Sequence, residues 1–120
     1  MKGYVTNIER DTLDNEDFRR VLFTGKHTQL VLMTLIPGQD IGLETHEGHD
    51  QFIRIEAGTG EVVMDGRVQP ISDGTAIVIP AGAEHNVTNT SADEPLKLYT
   101  LYSPPEHPDG TVEHEKPDND

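Results

Sequence analysis

Alternating apolar and polar residues run through most of the chain and predict strands. Residues 1–17 form a polar arm in which Asp11, Asp14, Glu16 and Asp17 crowd together, with a short strand expected at Tyr4 to Asn7. Arg20 to Phe23 reads as a second strand, punctuated by Gly25. Thr28 to Ile36 carries β-branched and long aliphatic side chains on both faces, so both faces should be buried. One would face a barrel interior, the other a neighbouring sheet or subunit. Pro37-Gly38 stops the run. Further strands follow at Gln51 to Glu56, Glu61 to Met64, Arg67 to Ile71, Thr75 to Ile79, His85 to Thr88 and Leu96 to Tyr102. Glycine-bearing turns separate several of them, including Ala57-Gly58-Thr59-Gly60, Asp65-Gly66 and Ser72-Asp73-Gly74. No stretch has convincing helical periodicity. Short strands at regular spacing predict an all-β sandwich or barrel.

The pattern ends at Ser103. Pro104, Pro105, Pro108 and Pro117 stand among acidic and polar residues, which predicts an irregular, partly mobile tail. The expected organisation is a barrel with an N-terminal arm over 1–103 and an acidic Pro-rich tail over 104–120.

Composition narrows the partners. At 120 residues the chain fits one domain. Hydrophobic content is 33% with no Trp, low for a self-sufficient domain, which favours a homodimer burying an apolar strand face. The net charge of −13 argues against nucleic acid, which needs clustered Lys and Arg. It reads either as a solvated acidic surface or as adaptation to high salt. Cys is absent, so disulfide and thiolate chemistry are excluded. No apolar run approaches the ~18 residues that span a membrane. Met1-Lys2-Gly3-Tyr4 lacks an apolar signal region, so a cytoplasmic location is expected.

The stretch from Gly38 to Gly60 carries the candidate chemistry. Glu44 and His46 are two apart, so an extended chain puts both on one face. Gln51 then opens a run in which Gln51, Ile53 and Ile55 share a face. Polar side chains inside a sheet are costly unless something pairs them. A divalent metal ion would do so, since carboxylate, imidazole and amide oxygen are all donors.

This spacing resembles the first motif of the cupin superfamily: Gly38, five residues, Glu44-x-His46, four residues, Gln51, six residues, Gly58. Glu44 stands where the family usually has its first His, and Gln51 where it usually has Glu. The second cupin motif appears without departure as Gly74, Pro80, Gly82, His85 and Asn89. The resemblance covers roughly residues 30 to 103. It implies a double-stranded β-helix, or jelly-roll, barrel and one divalent metal ion per chain (Mn, Fe, Zn or Ni) held by Glu44, His46, Gln51 and His85. The carboxylate would have moved from the third ligand position to the first, leaving the donor set at −1. Gln51, a poor ligand, would bind directly or hydrogen-bond a metal-bound water.

His49 is a minor candidate that could replace a weak ligand, although its loop, 47–50, is expected to be exposed. His27 reads as turn or rim, and His107 and His114 as solvated surface. Asn89 is expected to pair backbone at a turn. Tyr99 or Tyr102 could line the pocket, against the commoner fate of packing. Three functions follow. The first is a metalloenzyme acting on a small oxygenated molecule by isomerase or lyase chemistry, sugar-phosphate isomerase-like by resemblance. The second is an iron-dependent dioxygenase, since two His and one carboxylate suit non-haem iron. The third is a non-catalytic protein that binds a metal or small molecule.

Overall fold

A computed structural model describes residues 2–118. Among these residues nine strands form two antiparallel sheets: β1 (Arg19–Thr24), β2 (Gln29–Leu35), β3 (Asp50–Ala57), β4 (Thr59–Met64), β5 (Arg67–Ser72), β6 (Ala76–Ile79), β7 (His85–Asn89), β8 (Leu96–Ser103) and β9 (Val112–Glu113). The larger sheet runs β6-β3-β8-β2-β1-β9 and the smaller β5-β4-β7. This is the jelly-roll architecture expected from the strand spacing and the two motifs.

Alternation sends Val31, Met33 and Leu35 of β2, Ile53 and Ile55 of β3, and Leu96 and Leu98 of β8 into the space between the sheets, where they are fully buried. Val62, Ile71 and Val87 meet them from the smaller sheet. The polar exceptions on the inner face of the large sheet gather toward one end. Gln29 pairs with Tyr102, and Tyr102 with Gln51, giving a cross-strand row. Thr100, one inward position further along β8, is also fully buried. One end of the barrel is thus built of aliphatic side chains and the other of hydrogen-bonding ones.

The turns follow local chemistry. Asp65 and Gly66 both adopt positive φ, 49° and 81°, joining β4 to β5 in a two-residue hairpin. Such conformations suit Asp and Gly best, since larger side chains clash there.

The N-terminal region differs from expectation. Tyr4 to Asn7 is not a strand; the Tyr4 ring stacks on Phe23 at 5.3 Å between centroids. A helix, α1 (Ile8–Asp14), follows. Its cap is Asn7, whose side chain accepts a hydrogen bond from the Arg10 N–H at 3.0 Å, worth about 1 kcal/mol. Asn15 ends it and clasps Thr34: the Asn15 amide donates to Thr34 Oγ1, which donates to the Asn15 carbonyl. The outer face of β2 near Thr34 is therefore covered by the chain's own N-terminal segment.

The C-terminal region differs more. The segment expected to be an irregular, partly mobile tail lies along the barrel as a strap. β9 pairs with β1, and Glu113 forms an ion pair with the buried Arg19. His114 meets Asp17 at 2.6 Å, and Lys116 meets Asp40 at 2.7 Å. One acidic residue of the strap, Glu113, and two basic ones, His114 and Lys116, bind it down. Among the described residues no helix is long and apolar enough to cross a membrane.

Candidate metal centre

His46 is the hub of the polar end. The loop after β2 runs beside β7, so that Glu44 and His85 exchange both backbone hydrogen bonds at 2.9 Å. Residues paired in this way present their side chains on one face. Glu44 Oε2 lies 2.9 Å from His46 Nε2, and the His46 and His85 rings are 5.6 Å apart. The Gly82 N–H donates to the His46 carbonyl at 2.9 Å, tying the Pro80-to-Ala83 loop to the same site.

His85 is 6% exposed, and its Nδ1 lies 2.9 Å from the Ala83 carbonyl. A carbonyl only accepts, so Nδ1 carries the proton and the neutral ring keeps its lone pair on Nε2. That arrangement is typical of imidazoles that ligate metals.

Gln51 is buried on the inner face of β3. Its Nε2 donates to Thr100 Oγ1 at 3.0 Å, while its Oε1 has no hydrogen-bond partner among the described residues. A buried amide oxygen left unpaired costs about 1–3 kcal/mol. A cation or a water held by one would relieve that cost, so the orphaned oxygen fits a metal centre.

Two groups beyond the motif residues join the hub. His49 is half-buried: its ring is 5.6 Å from that of His46, and its Nδ1 lies 2.7 Å from the Pro104 carbonyl. Its Nε2 is 2.5 Å from Glu106 Oε2, and the same carboxylate oxygen is 3.6 Å from His46 Nδ1. Ligand atoms of His46, His49 and Glu106 all lie within 4.8 Å of one another. Tyr102, 2% exposed, walls the group, its ring 6.1 Å from His46 and 6.4 Å from His49.

The other candidates are placed as follows. Tyr99 points to the opposite face of β8 and packs against Phe52 at 6.3 Å, away from the imidazoles. His107, read as surface, is half-buried with its ring edge-on to Tyr102 at 5.2 Å. His27 is exposed, as is His114. Asn89 is fully buried and bonds the carbonyls of Leu35 and Glu94 and the N–H of Ser91. Glu106 was missed because it lies in the acidic stretch. The available signal was Pro104-Pro105, which turns the chain directly after the strand that ends beside the site.

A cleft of about 520 Å³ opens beside this hub, between the Ile41-to-Glu44 loop and the strap. Its lining includes Ile41, Leu43, Glu44, Glu106, Arg19 and Glu113.

The family described as Cupin domain matches residues 31–102. The chain belongs to the cupin family. The Bacillus subtilis protein YrkC is 50% identical over 98% of this cupin, which spans 66% of that protein's length. The solved structure of BH2720 from Bacillus halodurans is 49% identical, with a TM-score of 0.91 over 96% of this cupin and 91% of that chain. A predicted oxalate decarboxylase from Thermotoga maritima is 28% identical, with a TM-score of 0.62 over 67% of this cupin and 69% of that chain.

Proposed function

We propose that this cupin holds one divalent metal ion at the polar end of its barrel and acts there on a small oxygen-bearing organic molecule. The observation that carries this reading is the convergence on His46 of a second imidazole, His85, with its proton fixed on Nδ1, and the carboxylate of Glu44. His46 and His85 would supply nitrogen, Glu44 a charged oxygen, and Gln51 Oε1 either a weak direct bond or a contact to water. A bound ion would supply Lewis acidity toward a carbonyl or hydroxyl oxygen. The chain's own part is to orient and enclose. Tyr102 walls the site, and the aliphatic core behind it keeps water to one side.

The cleft favours a neutral or weakly charged substrate over a phosphate ester. Its one guanidinium, Arg19, is engaged by Glu113, and its lining carries the carboxylates of Glu44, Glu106 and Glu113. With a divalent ion in place, Glu44 and Glu106 bring the local charge close to zero. A phosphate dianion would add two negative charges beside these carboxylates with only the ion itself to receive them, whereas a neutral hydroxy-carbonyl compound would not. Such a substrate departs from the sugar-phosphate class that the family resemblance suggests. The His46, His85 and Glu44 set also suits ferrous iron, which keeps oxygenase chemistry as the second reading.

The test is ligand binding by calorimetry to protein loaded with Mn, Fe(II), Ni or Zn, and to the chelated protein. Metal-dependent binding of small hydroxy-carbonyl compounds, with phosphate esters weaker, is expected. Binding indifferent to metal, or tightest for phosphate esters, would contradict it. Oxygen uptake only in the iron form would favour the second reading.

A further inference from the structure

We propose that Leu43, displayed by a fixed loop at the cleft, is a specificity-determining residue, and that the substrate is a hydroxy-carbonyl compound carrying an apolar substituent. The inference rests on the metal reading above and adds the part of the ligand that lies beyond its oxygen-bearing end.

Leu43 is 62% exposed. Among the large exposed hydrophobic side chains of the described residues, it alone lines the cleft beside the hub. Isolated apolar side chains on a surface are ordinary. This one differs because its backbone is held on both sides. The Gly42 N–H donates to Asn86 Oδ1 at 3.0 Å, and Glu44 exchanges both backbone bonds with His85. The Ile41 N–H donates to the Val87 carbonyl at 3.0 Å, and Asp40 bridges to Thr88. The loop is thus stitched along β7 like a further strand. A side chain displayed on so fixed a backbone meets a ligand without the ordering cost that a mobile loop incurs.

Asn86 is the pin. Its amide nitrogen donates to Asp40 Oδ2 at 2.9 Å, and Asp40 Oδ1 accepts from Lys116 Nζ at 2.7 Å. The loop and the strap, which wall the cleft, are joined through this carboxylate. Gly42 has a φ of 119°, which larger residues rarely adopt. The kink there interrupts simple alternation, and Ile41, Leu43 and Glu44 all line the cleft.

The lining combines two chemistries. Glu44 and Glu106 belong to the hub around His46. Ile41 and Leu43 on the loop, and Pro108 on the strap, supply apolar surface. A cleft of this kind fits an amphipathic molecule, its oxygen atoms at the hub and its alkyl part against Leu43. Each methylene moved from water onto an apolar wall favours binding about twofold to fourfold, according to how fully it is covered.

The experiment titrates full-length protein loaded with Mn²⁺ with hydroxyacetone and with hydroxymethyl hexyl ketone. It reads the broadening of the ligand proton resonances by the ion. Wild type, Leu43→Ala and Leu43→Met are compared, with chelated protein as the baseline. In wild type the hexyl ketone should bind at least about thirtyfold more tightly than hydroxyacetone, from five added methylenes at about twofold each. Leu43→Ala should lower that ratio at least about threefold, and Leu43→Met should keep it, since Met restores the apolar reach. The ratio is the readout because a general loss of folding or of metal weakens both ligands together. A ratio under about threefold in wild type, or an unchanged ratio in Leu43→Ala, would overturn the proposal, while metal-dependent binding of hydroxyacetone would leave the metal reading intact. Failure of both ketones to bind the Mn²⁺ protein more tightly than the chelated protein would overturn the metal reading, and this inference with it.

Discussion

His49 Nε2 lies 2.5 Å from Glu106 Oε2, although 57 positions of sequence separate the two residues. The contact joins the loop before β3 to the strap after β8 and closes the polar end of the barrel. It makes the C-terminal segment part of the candidate site.

The imidazoles should not be equivalent to the amide. His46→Ala and His85→Ala should each abolish stoichiometric metal binding, since each removes a nitrogen donor at the hub. Gln51→Ala should weaken binding less, because an amide oxygen is a weak ligand beside imidazole and carboxylate. Metal content measured on the purified variants checks both expectations.

The exchanged carboxylate gives a coupled pair. Glu44→His should bind a divalent ion poorly, and adding Gln51→Glu should recover the affinity lost. The resulting cycle would be non-additive, as expected for groups around one ion. Strictly additive titration energies would remove Glu44 from the ligand set.

Removing residues 109–120 should destabilise the barrel, whereas a mobile acidic tail would be dispensable. The truncation takes Glu113 from Arg19, whose side chain is only 6% exposed. Breaking a fully buried pair from one side costs about 3–5 kcal/mol. Glu113 is partly solvated, so about 2 kcal/mol is the better expectation, or about 8 °C in melting temperature. A loss under about 2 °C would mean that the ion pairs of the strap contribute nothing net.

Acid should release the same segment. The hydrogen bond from His114, aided by Arg20, holds the Asp17 carboxyl below its ordinary value of 3.8. Lys116, then Asn86, do the same for Asp40. A carboxyl whose value is lowered by folding stabilises the docked form fully above 3.8 and loses that contribution as pH falls through the lowered value. Hydrogen exchange over residues 111–118 should therefore be flat from neutral pH to about 4 and accelerate below it, beyond the intrinsic pH trend. Asp40→Asn should remove part of the acceleration.

Gly60→Ala tests sheet contact at the barrel wall. A Cβ there would lie 2.2 Å from the Thr88 carbonyl oxygen and 3.2 Å from Leu96 Cδ2. Backbone cannot yield cheaply, so a loss of about 3 kcal/mol is expected. Gly48→Ala, in the loop beside His49, meets open space and should leave stability unchanged.

Much of this was legible in the sequence, for a physical reason. β3, β8 and β2 are half-buried or fully buried strands, and burial writes itself as alternation or as an apolar run. Glu44, His46, Gln51 and His85 could be proposed as ligands because the glycines and Pro80 of the two cupin motifs mark their positions. What escaped had no periodic signature. α1 spans seven residues and buries only Thr12, too few to show a helical period. β9 is two residues long and is held by ion pairs rather than an apolar face. Glu106 reaches His49 across the molecule, and its placement depends on Gln29, a buried amide that accepts from the Glu106 and His107 N–H groups and whose purpose no local pattern reveals.

X-ray absorption at the metal edge of protein given one equivalent of Zn²⁺ shows directly whether the ion is held by imidazole nitrogen from His46 and His85. A shell containing at least two imidazole nitrogens at about 2.0–2.1 Å, with one or more carboxylate oxygens, is expected, and His85→Ala should retain no stoichiometric zinc. A shell of oxygen alone, or an unchanged shell at full zinc occupancy in His85→Ala, would rule out a centre built on these imidazoles.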